Sequence, residues 1–271
     1  MPRLGIGLPL SAASVTQASI LVIDDYLWES LETSGISLNY VLSRTNTAQY
    51  SQDTTQSQWV KTSTAIEGTL YEDPVGGTTG NAITGAASNS TKFIHQVQTI
   101  TADETYTYSA YVKKGTLGFV RLEAYDGTTT YSADFNLDSA GAVGYETGLI
   151  STSAVHTSNS WYRISITFKA LNTSEASQIR VYSMAANNTT TVNVAVADTV
   201  LVYVWGQQFE ADIEASTYIK TVGASRTQTD TIQDFSKTWD FDGNDIMPEA
   251  DPGAEGTWEL DGSGDLTPEA L

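Results

Sequence analysis

Trp161-Tyr162-Arg163-Ile164-Ser165-Ile166-Thr167-Phe168-Lys169 is the stretch that decides the fold. Tyr162, Ile164, Ile166 and Phe168 occupy every second position, and Arg163, Ser165, Thr167 and Lys169 fill the alternate ones. Successive side chains of a strand point to opposite faces, so this spacing predicts a strand with one face in a core and the other wet. The same period of two extends outward from it. Tyr106, Tyr108 and Ala110 alternate with Thr107, Ser109 and Tyr111, and Phe93, His95 and Val97 alternate with Ile94 and Gln96. Further short segments run over 119–125, 131–137, 142–149, 179–184, 191–195 and 199–205. Lys114-Gly115, Asp126-Gly127, Ser139-Ala140-Gly141 and Asn187-Asn188 fall between them and supply turn residues. Roughly nine or ten short strands at this spacing, with no helices between them, predict an all-β antiparallel sandwich or barrel.

Composition supports this reading. Thr (38) and Ser (27) together make about a quarter of the 271 residues, beside 14 Tyr, 6 Trp and 7 Phe, a mixture that favours strands. Helical spacing is confined to Asp24–Glu32, one or two turns at most. The formal charge is −19, from 13 Lys and Arg against 32 Asp and Glu. No nucleic-acid partner is expected, because phosphates demand a basic stripe, and no membrane partner, because anionic lipid repels such a chain. No stretch reaches the roughly 18 apolar residues of a membrane-spanning helix. With no Cys and 2 His, thiolate chemistry, disulfides and a three-His zinc site are excluded. Leu4–Leu10 makes a poor secretory h-region, interrupted by two Gly and Pro9, so residues 1–36 are expected to be retained.

The two ends differ from the middle. Residues 228–271 hold 12 acidic residues and one Lys. Within them Trp239-Asp240-Phe241-Asp242-Gly243 through Pro248 resembles Trp258-Glu259-Leu260-Asp261-Gly262 through Pro268. Each copy reads as a small hairpin about an Asp-Gly turn, too short to be stable alone. Trp239 and Trp258 are therefore expected to bury their indoles at an interface. Apolar pieces carrying Leu4, Ile6 and Leu8, and then Ile20 and Val22, lie outside the strand rhythm and are read as an attachment surface.

Candidate chemistry is sparse. No G-x-S-x-G elbow is present, and His95, between Phe93 and Val97, reads as a half-buried histidine with its bonds satisfied. Asp240, Asp242 and Asn244 have Ca²⁺-loop spacing, but the Gly falls at the fourth position and position twelve is Asp251; they read as a turn and only a weak metal candidate. No catalytic residue and no cofactor is assigned. A glycosidase needs two carboxylates, and nothing marks a pair among the 32 acids. Tyr106, Tyr111, Tyr125, Tyr131 and Trp161 are the aromatics whose composition suits sugar stacking, although rings in a sandwich more often belong to its core.

A family resemblance follows from the ordered set Asn39–Arg44, Trp59–Thr62, Tyr106–Lys113, Trp161–Phe168 and, above all, Val204-Trp205-Gly206-Gln207-Gln208-Phe209-Glu210 with Ser216-Thr217-Tyr218-Ile219 and Ser225-Arg226. Residues 37–228 resemble the carbohydrate-binding-module-like jelly roll common in virion proteins of tailed bacteriophages. The C-terminal unit is similar to short terminal elements of marine phage structural proteins, notably those of cyanophages. The resemblance implies a jelly-roll domain over 37–228, an attachment segment over 1–36 and an acidic repeat segment over 229–271. It implies a non-enzymatic structural protein of the virion, displayed as a fibre, spike or decoration, contacting other virion proteins through residues 1–36 and assembling as a homo-oligomer, with a trimer the fibre-like choice. In it Trp205, Tyr218 and Arg226 are implied to tie the closing segment to the last strand. Two other readings stay open: a module that binds host-surface glycan, and a polysaccharide depolymerase.

Overall fold

The computed structural model describes residues 40–68, 70–232, 258–260 and 266–268. Its first strands are β1 (Tyr40–Asn46), β2 (Val60–Thr62), β3 (Thr64–Ile66), β4 (Asn81–Gly85), β5 (Ser88–Thr91) and β6 (Phe93–Ile100). The middle of the chain forms β7 (Thr105–Lys114), β8 (Phe119–Tyr125), β9 (Thr130–Asn136), β10 (Ala142–Thr147), β11 (Ser151–His156) and β12 (Trp161–Lys169). Then come β13 (Ser174–Met184), β14 (Thr191–Val194), β15 (Thr199–Glu210), β16 (Arg226–Ile232), β17 (Trp258–Leu260) and β18 (Leu266–Pro268).

Two six-stranded sheets carry the fold, in the orders β10-β9-β8-β13-β6-β2 (sheet I) and β11-β12-β7-β15-β4-β3 (sheet II), and every pairing within them is antiparallel. The chain crosses repeatedly between the sheets: β6 to β7, β7 to β8, β10 to β11, β12 to β13. This is the antiparallel sandwich that the period-two spacing predicts. β5 pairs with β14 as a small separate sheet, and β1 with β16 as a ribbon. The sandwich lies in the compact unit Arg44–Gln228; residues 1–43 and 229–271 make up a second unit. There the second copy of the C-terminal motif pairs as a hairpin, Trp258 opposite Pro268 and Leu260 opposite Leu266.

The core is built from the alternation read in the sequence. Ile164, Ile166 and Phe168 of β12 meet Tyr108, Ala110 and Val112 of β7 and, from sheet I, Val120 and Leu122 of β8 and Ile179 and Val181 of β13, all fully buried. Tyr131 stacks on Phe168 with ring centres 4.4 Å apart, and Tyr106 stacks on Phe209 at 5.2 Å. Tyr106 and Tyr131 thus belong to the core.

The polar face of β12 is less wet than the alternation alone predicts. Ser165 and Thr167 are buried, because the segment after β15 folds back over sheet II. Thr107 Oγ1 donates to the Asp212 carbonyl at 2.9 Å, and Arg44 forms an ion pair with Asp212. The W-G-x-Q-x-E stretch fastens that segment. Gln208 Oε1 accepts from the Ile219 amide at 2.6 Å, Glu210 Oε2 accepts from the Ser216 amide at 3.1 Å, and the Tyr218 hydroxyl bonds Ser51 Oγ at 2.6 Å. Trp205 packs on Tyr218 at 4.5 Å and on Tyr111 at 5.1 Å. Gly206 sits in a bulge of β15 at φ +61°, where a Cβ would lie 2.8 Å from the Tyr111 ring; only glycine fits there. Trp205 and Tyr218 therefore tie the closing segment down, whereas Arg226 is exposed at the start of β16.

Candidate functional site

Among the described residues, the segment after β15 folds over sheet II, and the outer face of sheet I is the broad surface left open. Its residues follow from the alternation. Val120, Leu122 and Ala124 of β8 point into the core, so Phe119, Arg121, Glu123 and Tyr125 point out. By the same argument Ser132 and Asp134 of β9, Gln178, Arg180 and Tyr182 of β13, and Phe93, His95 and Val97 of β6 face outward.

Strand register arranges these side chains in rows. One row runs His95, Arg180, Glu123, Ser132, and the next runs Phe93, Tyr182, Arg121, Asp134. Directly opposed antiparallel residues place their side chains in contact, and the rows are bonded accordingly. Arg180 Nη1 donates to Glu123 Oε1 at 2.6 Å, and the Tyr182 hydroxyl donates to the same oxygen at 3.0 Å. Arg121 grips Asp134 through Nε at 2.6 Å and Nη2 at 3.2 Å, a two-point charged pair of the stronger kind. Asn188, in the loop after β13, donates its amide to Asp134 Oδ2 at 2.6 Å and closes that end of the face.

Above this polar floor stand aromatic rings. Phe93 stacks on Tyr182 at 4.7 Å; the Arg180 guanidinium lies 5.0 Å from the Tyr125 ring centre and 5.9 Å from that of Phe93. Tyr145 on the edge strand β10 is 38% exposed, with the Arg121 guanidinium 5.2 Å from its ring centre. Floor residues Glu123 and Ser132 are 5% and 1% exposed, whereas Tyr125, Phe93 and His95 around them are half-buried. Glu123 and Ser132 are thus covered by their neighbours, and the rings are the more exposed part of the face.

Electrostatics follow from burial and pairing. Burial pushes the Tyr182 hydroxyl up to about 12, and the neighbouring Glu123 charge adds to the shift. Burial lowers the His95 pKa, and Arg180 beside it lowers it further. For Arg121, burial alone would lower the pKa, but the bonds to Asp134 outweigh it and raise the value. Two atoms of the face are buried without a hydrogen-bond partner, Ser132 Oγ and His95 Nδ1. His95 is half-buried as the sequence suggests, but its ring is not satisfied at Nδ1.

The aromatics singled out in the sequence separate by location. Tyr125 is on the sheet I face. Tyr106 and Tyr131 are in the core, Tyr111 packs between Trp205 and Tyr218, and Trp161 is fully buried on the sheet II side. Composition missed the pairing of Arg180 with Glu123 and Arg121 with Asp134. The available clue was an Arg-x-Glu on one predicted strand and, on the next, Ser-x-Asp at the same parity. Asp240, Asp242, Asn244, Leu4, Ile6, Leu8, Ile20, Val22, Trp239 and the Trp258 side chain lie outside the described residues, as does Asp24–Glu32, whose spacing predicts a helical turn or two. Among the described residues no cluster of three His, Asp or Glu is placed to hold a metal ion, and no helix is long and apolar enough to cross a membrane. A shallow open depression of about 420 Å³, lined by Glu146–Thr152, offers no aromatic side chain.

No protein-family model matches the chain, and no curated protein matches it. Among solved structures it is similar to the CBM22-1–GH10 modules of endo-1,4-beta-D-xylanase 10B from Clostridium thermocellum, complexed with xylohexaose, at 13% identity and a TM-score of 0.35, over 68% of this chain and 30% of that one. It is also similar to the C-terminal CBM6 of the laminarinase LamC from Zobellia galactanivorans, at 12% identity and a TM-score of 0.32, over 62% of this chain and 98% of that one. A third is CBM35 from Paenibacillus barcinonensis, at 16% identity and a TM-score of 0.27, over 55% of this chain and 94% of that one.

Proposed function

We propose that the sandwich is a non-catalytic glycan-binding module and that the outer face of sheet I is its recognition surface. The observation that carries this reading is the bonded set of Arg180, Glu123 and Tyr182 on that face, beside the rings of Tyr125, Phe93 and Tyr145. Sugars present an apolar ring face and a fringe of hydroxyls, which suits aromatic rings beside charged hydrogen-bonding groups. Glu123 and Asp134 each already accept a charge-assisted bond from an arginine, which leaves no pair of free carboxylates on the face for hydrolysis.

Display on a virion is a separate reading that rests on the resemblance of residues 37–228 and on terminal segments outside the described residues. If the chain is displayed in that way, this face is the one that would meet a host-surface glycan. The test is affinity electrophoresis through gels containing soluble polysaccharides. Retarded migration of the native chain in at least one gel, abolished by Tyr125→Ala, is the expected result. No retardation in any gel, or retardation unchanged in Tyr125→Ala, refutes the reading.

A further inference from the structure

β11 (Ser151–His156) is an edge strand of sheet II. An edge strand presents unpaired amides and carbonyls, and folds blunt it by shortness, charge, proline or a bulge. The other edges of the two sheets are blunted in these ways. β2 and β3 are three residues long, and β10 breaks register between Val143 and Glu146. β11 instead pairs with β12 in unbroken register, from Ser151 opposite Thr167 to His156 opposite Tyr162, and carries no Pro, Lys, Asp or Glu. Apolar side chains gather around it: Ile150 and Val155 are more than half exposed, and Val143 and Tyr145 of β10 are exposed as well.

The direction of the free backbone groups follows from one bond. Thr157, just past the strand, donates its amide to the Trp161 carbonyl at 2.8 Å. Hydrogen-bonding direction alternates along a strand, so Val155, Ser153 and Ser151 also turn their backbone groups toward β12. Thr152, Ala154 and His156 turn theirs to the open edge.

A second copy of the chain fits this edge in register and in charge. Strands joined edge to edge about a two-fold axis normal to the sheet run antiparallel, and opposed residues share a face. With Ala154 opposite the partner's Ala154, and Thr152 opposite the partner's His156, every outward amide and carbonyl of these three residues is paired. Alanine at the axis leaves room for the two backbones. Thr152 Oγ1 donates to Glu146 Oε1 at 2.8 Å, so the same register brings the partner's His156 toward a carboxylate. The formal charge of −19 opposes self-association through most surfaces. Between Glu146 and Glu175, however, the chain has no Asp or Glu, and this span includes β11, β12, Arg163 and Lys169. A basic partner would find no acidic side chain on the strand to attract it.

We propose that β11 is an interface between two copies of this chain, which join their sheets II into one antiparallel sheet across Ala154. Such a contact is isologous and closes at two copies. Its axis is normal to sheet II, so the outer faces of both sheets I turn to the same side of the pair, an arrangement that suits two-point attachment to one polymer.

Ala154→Pro removes an outward amide while leaving the bonds to β12 in place, the setting in which a strand tolerates proline; it weakens the dimer at least about 10-fold. Val155→Glu sets an exposed carboxylate beside the partner's strand and weakens it in a salt-dependent manner. Ala154→Cys gives a chain with a single cysteine, since the native sequence has none. Opposed hydrogen-bonded residues have Cα atoms about 5.5 Å apart, within disulfide reach.

The experiment is sedimentation equilibrium of the 271-residue chain, Ala154→Pro and Val155→Glu, with near-ultraviolet circular dichroism to confirm the fold, and non-reducing electrophoresis of oxidised Ala154→Cys beside Val75→Cys, which places the thiol at a well-exposed position outside β11. Expected are a native dimer, dissociation in both Ala154→Pro and Val155→Glu, and a covalent dimer from Ala154→Cys that forms faster than any from Val75→Cys. If Ala154→Pro fails to fold, Val155→Glu and the cysteine pair decide. A native chain that is monomeric at every concentration overturns the proposal. So does an oligomer unchanged in Val155→Glu and in folded Ala154→Pro, which would place the contact elsewhere, or equal cross-linking of the two cysteine variants.

Discussion

Asp126, in the turn between β8 and β9, is the group whose removal has the most predictable effect on stability. Its side chain is fully buried, and its oxygens accept from the amides of Thr128 (3.0 Å), Thr129 (2.7 Å), Leu171 (3.3 Å) and Asn172 (3.1 Å), from the Tyr131 hydroxyl (2.8 Å) and from Asn172 Nδ2. It thereby fastens its own turn to the loop that follows β12. Burial pushes its pKa upward, but the bonds from Thr129, Tyr131, Thr128 and Asn172 outweigh this and hold it at about 2, against an ordinary value of 3.8. A carboxyl whose pKa is depressed on folding stabilises the fold above its unfolded pKa, and that contribution disappears as pH falls through the folded pKa. The difference corresponds to about 2.4 kcal/mol at neutral pH, of which roughly 1.6 kcal/mol is gone by about pH 2.5. Asp126→Asn turns an amide group toward several of these donors and should cost about 2–3 kcal/mol at pH 7. Urea denaturation of native and Asp126→Asn protein between about pH 7 and pH 2.5 reads both effects. The gap between the two should be widest above pH 4 and shrink below it. A gap that is constant with pH would falsify the assignment of this carboxylate as an ionised hub.

Four further outcomes follow from the packing. Phe168→Ala, at the centre of the ring cluster, should lose about 3–5 kcal/mol in chemical denaturation; an unchanged midpoint would remove Phe168 from the core. Gly206→Ala must place a Cβ 2.8 Å from the Tyr111 ring at φ +61° and should cost more than about 1 kcal/mol, whereas an alanine accommodated without loss would mean the bulge of β15 does not need glycine. Tyr218→Phe, losing the hydroxyl's bonds to Ser51 and Gln52, should cost about 1–2 kcal/mol. Tyr218→Ala should in addition shift tryptophan emission to the red, and an unshifted spectrum would contradict the packing of Trp205 on Tyr218.

What was legible in the sequence depended on how differently the two faces of a strand are solvated. β12, β7 and β8 carry apolar residues on one side and polar or aromatic residues on the other, and their period of two stands out. β4 (Asn81–Gly85) is buried at all five positions, so it shows no alternation to read. β11 (Ser151–His156) is exposed or half-exposed throughout, and its Ser-Thr-Ser-Ala run carries no contrast either. β2 and β3 are three residues each, shorter than any period can establish. β15 was expected to stop at Trp205, where a Trp-Gly pair reads as the end of a strand. In the fold the chain crosses that point by bulging at Gly206 and pairs on to Glu210. The outer face of sheet I was harder to read for a different reason. Its defining contacts, Arg180 with Glu123 and Arg121 with Asp134, join strands 57 and 13 residues apart in sequence, and only sheet order brings them together.

The closing segment links the two halves of the structure. Because residues 211–221 cover sheet II, its outer polar residues bond to the chain itself: Thr107 to Asp212, Gln208 to Ile219. Among the described residues no later segment bonds across sheet I at Glu123 and Ser132 as 211–221 does across sheet II, yet the outer face of sheet I carries equally large and polar side chains. An uncovered face could be furnished with small polar residues and water alone. Here it instead holds two buried ion pairs, and desolvating charged pairs is rarely a source of net stability. Fixing side-chain positions is the better account of them. Arg180, held by Glu123 and Gln178 and lying near the rings of Tyr125 and Phe93, keeps those rings and the carboxylate in one arrangement before any ligand arrives. Such preorganisation is what the proposed glycan-binding face would need in order to gain affinity from few contacts.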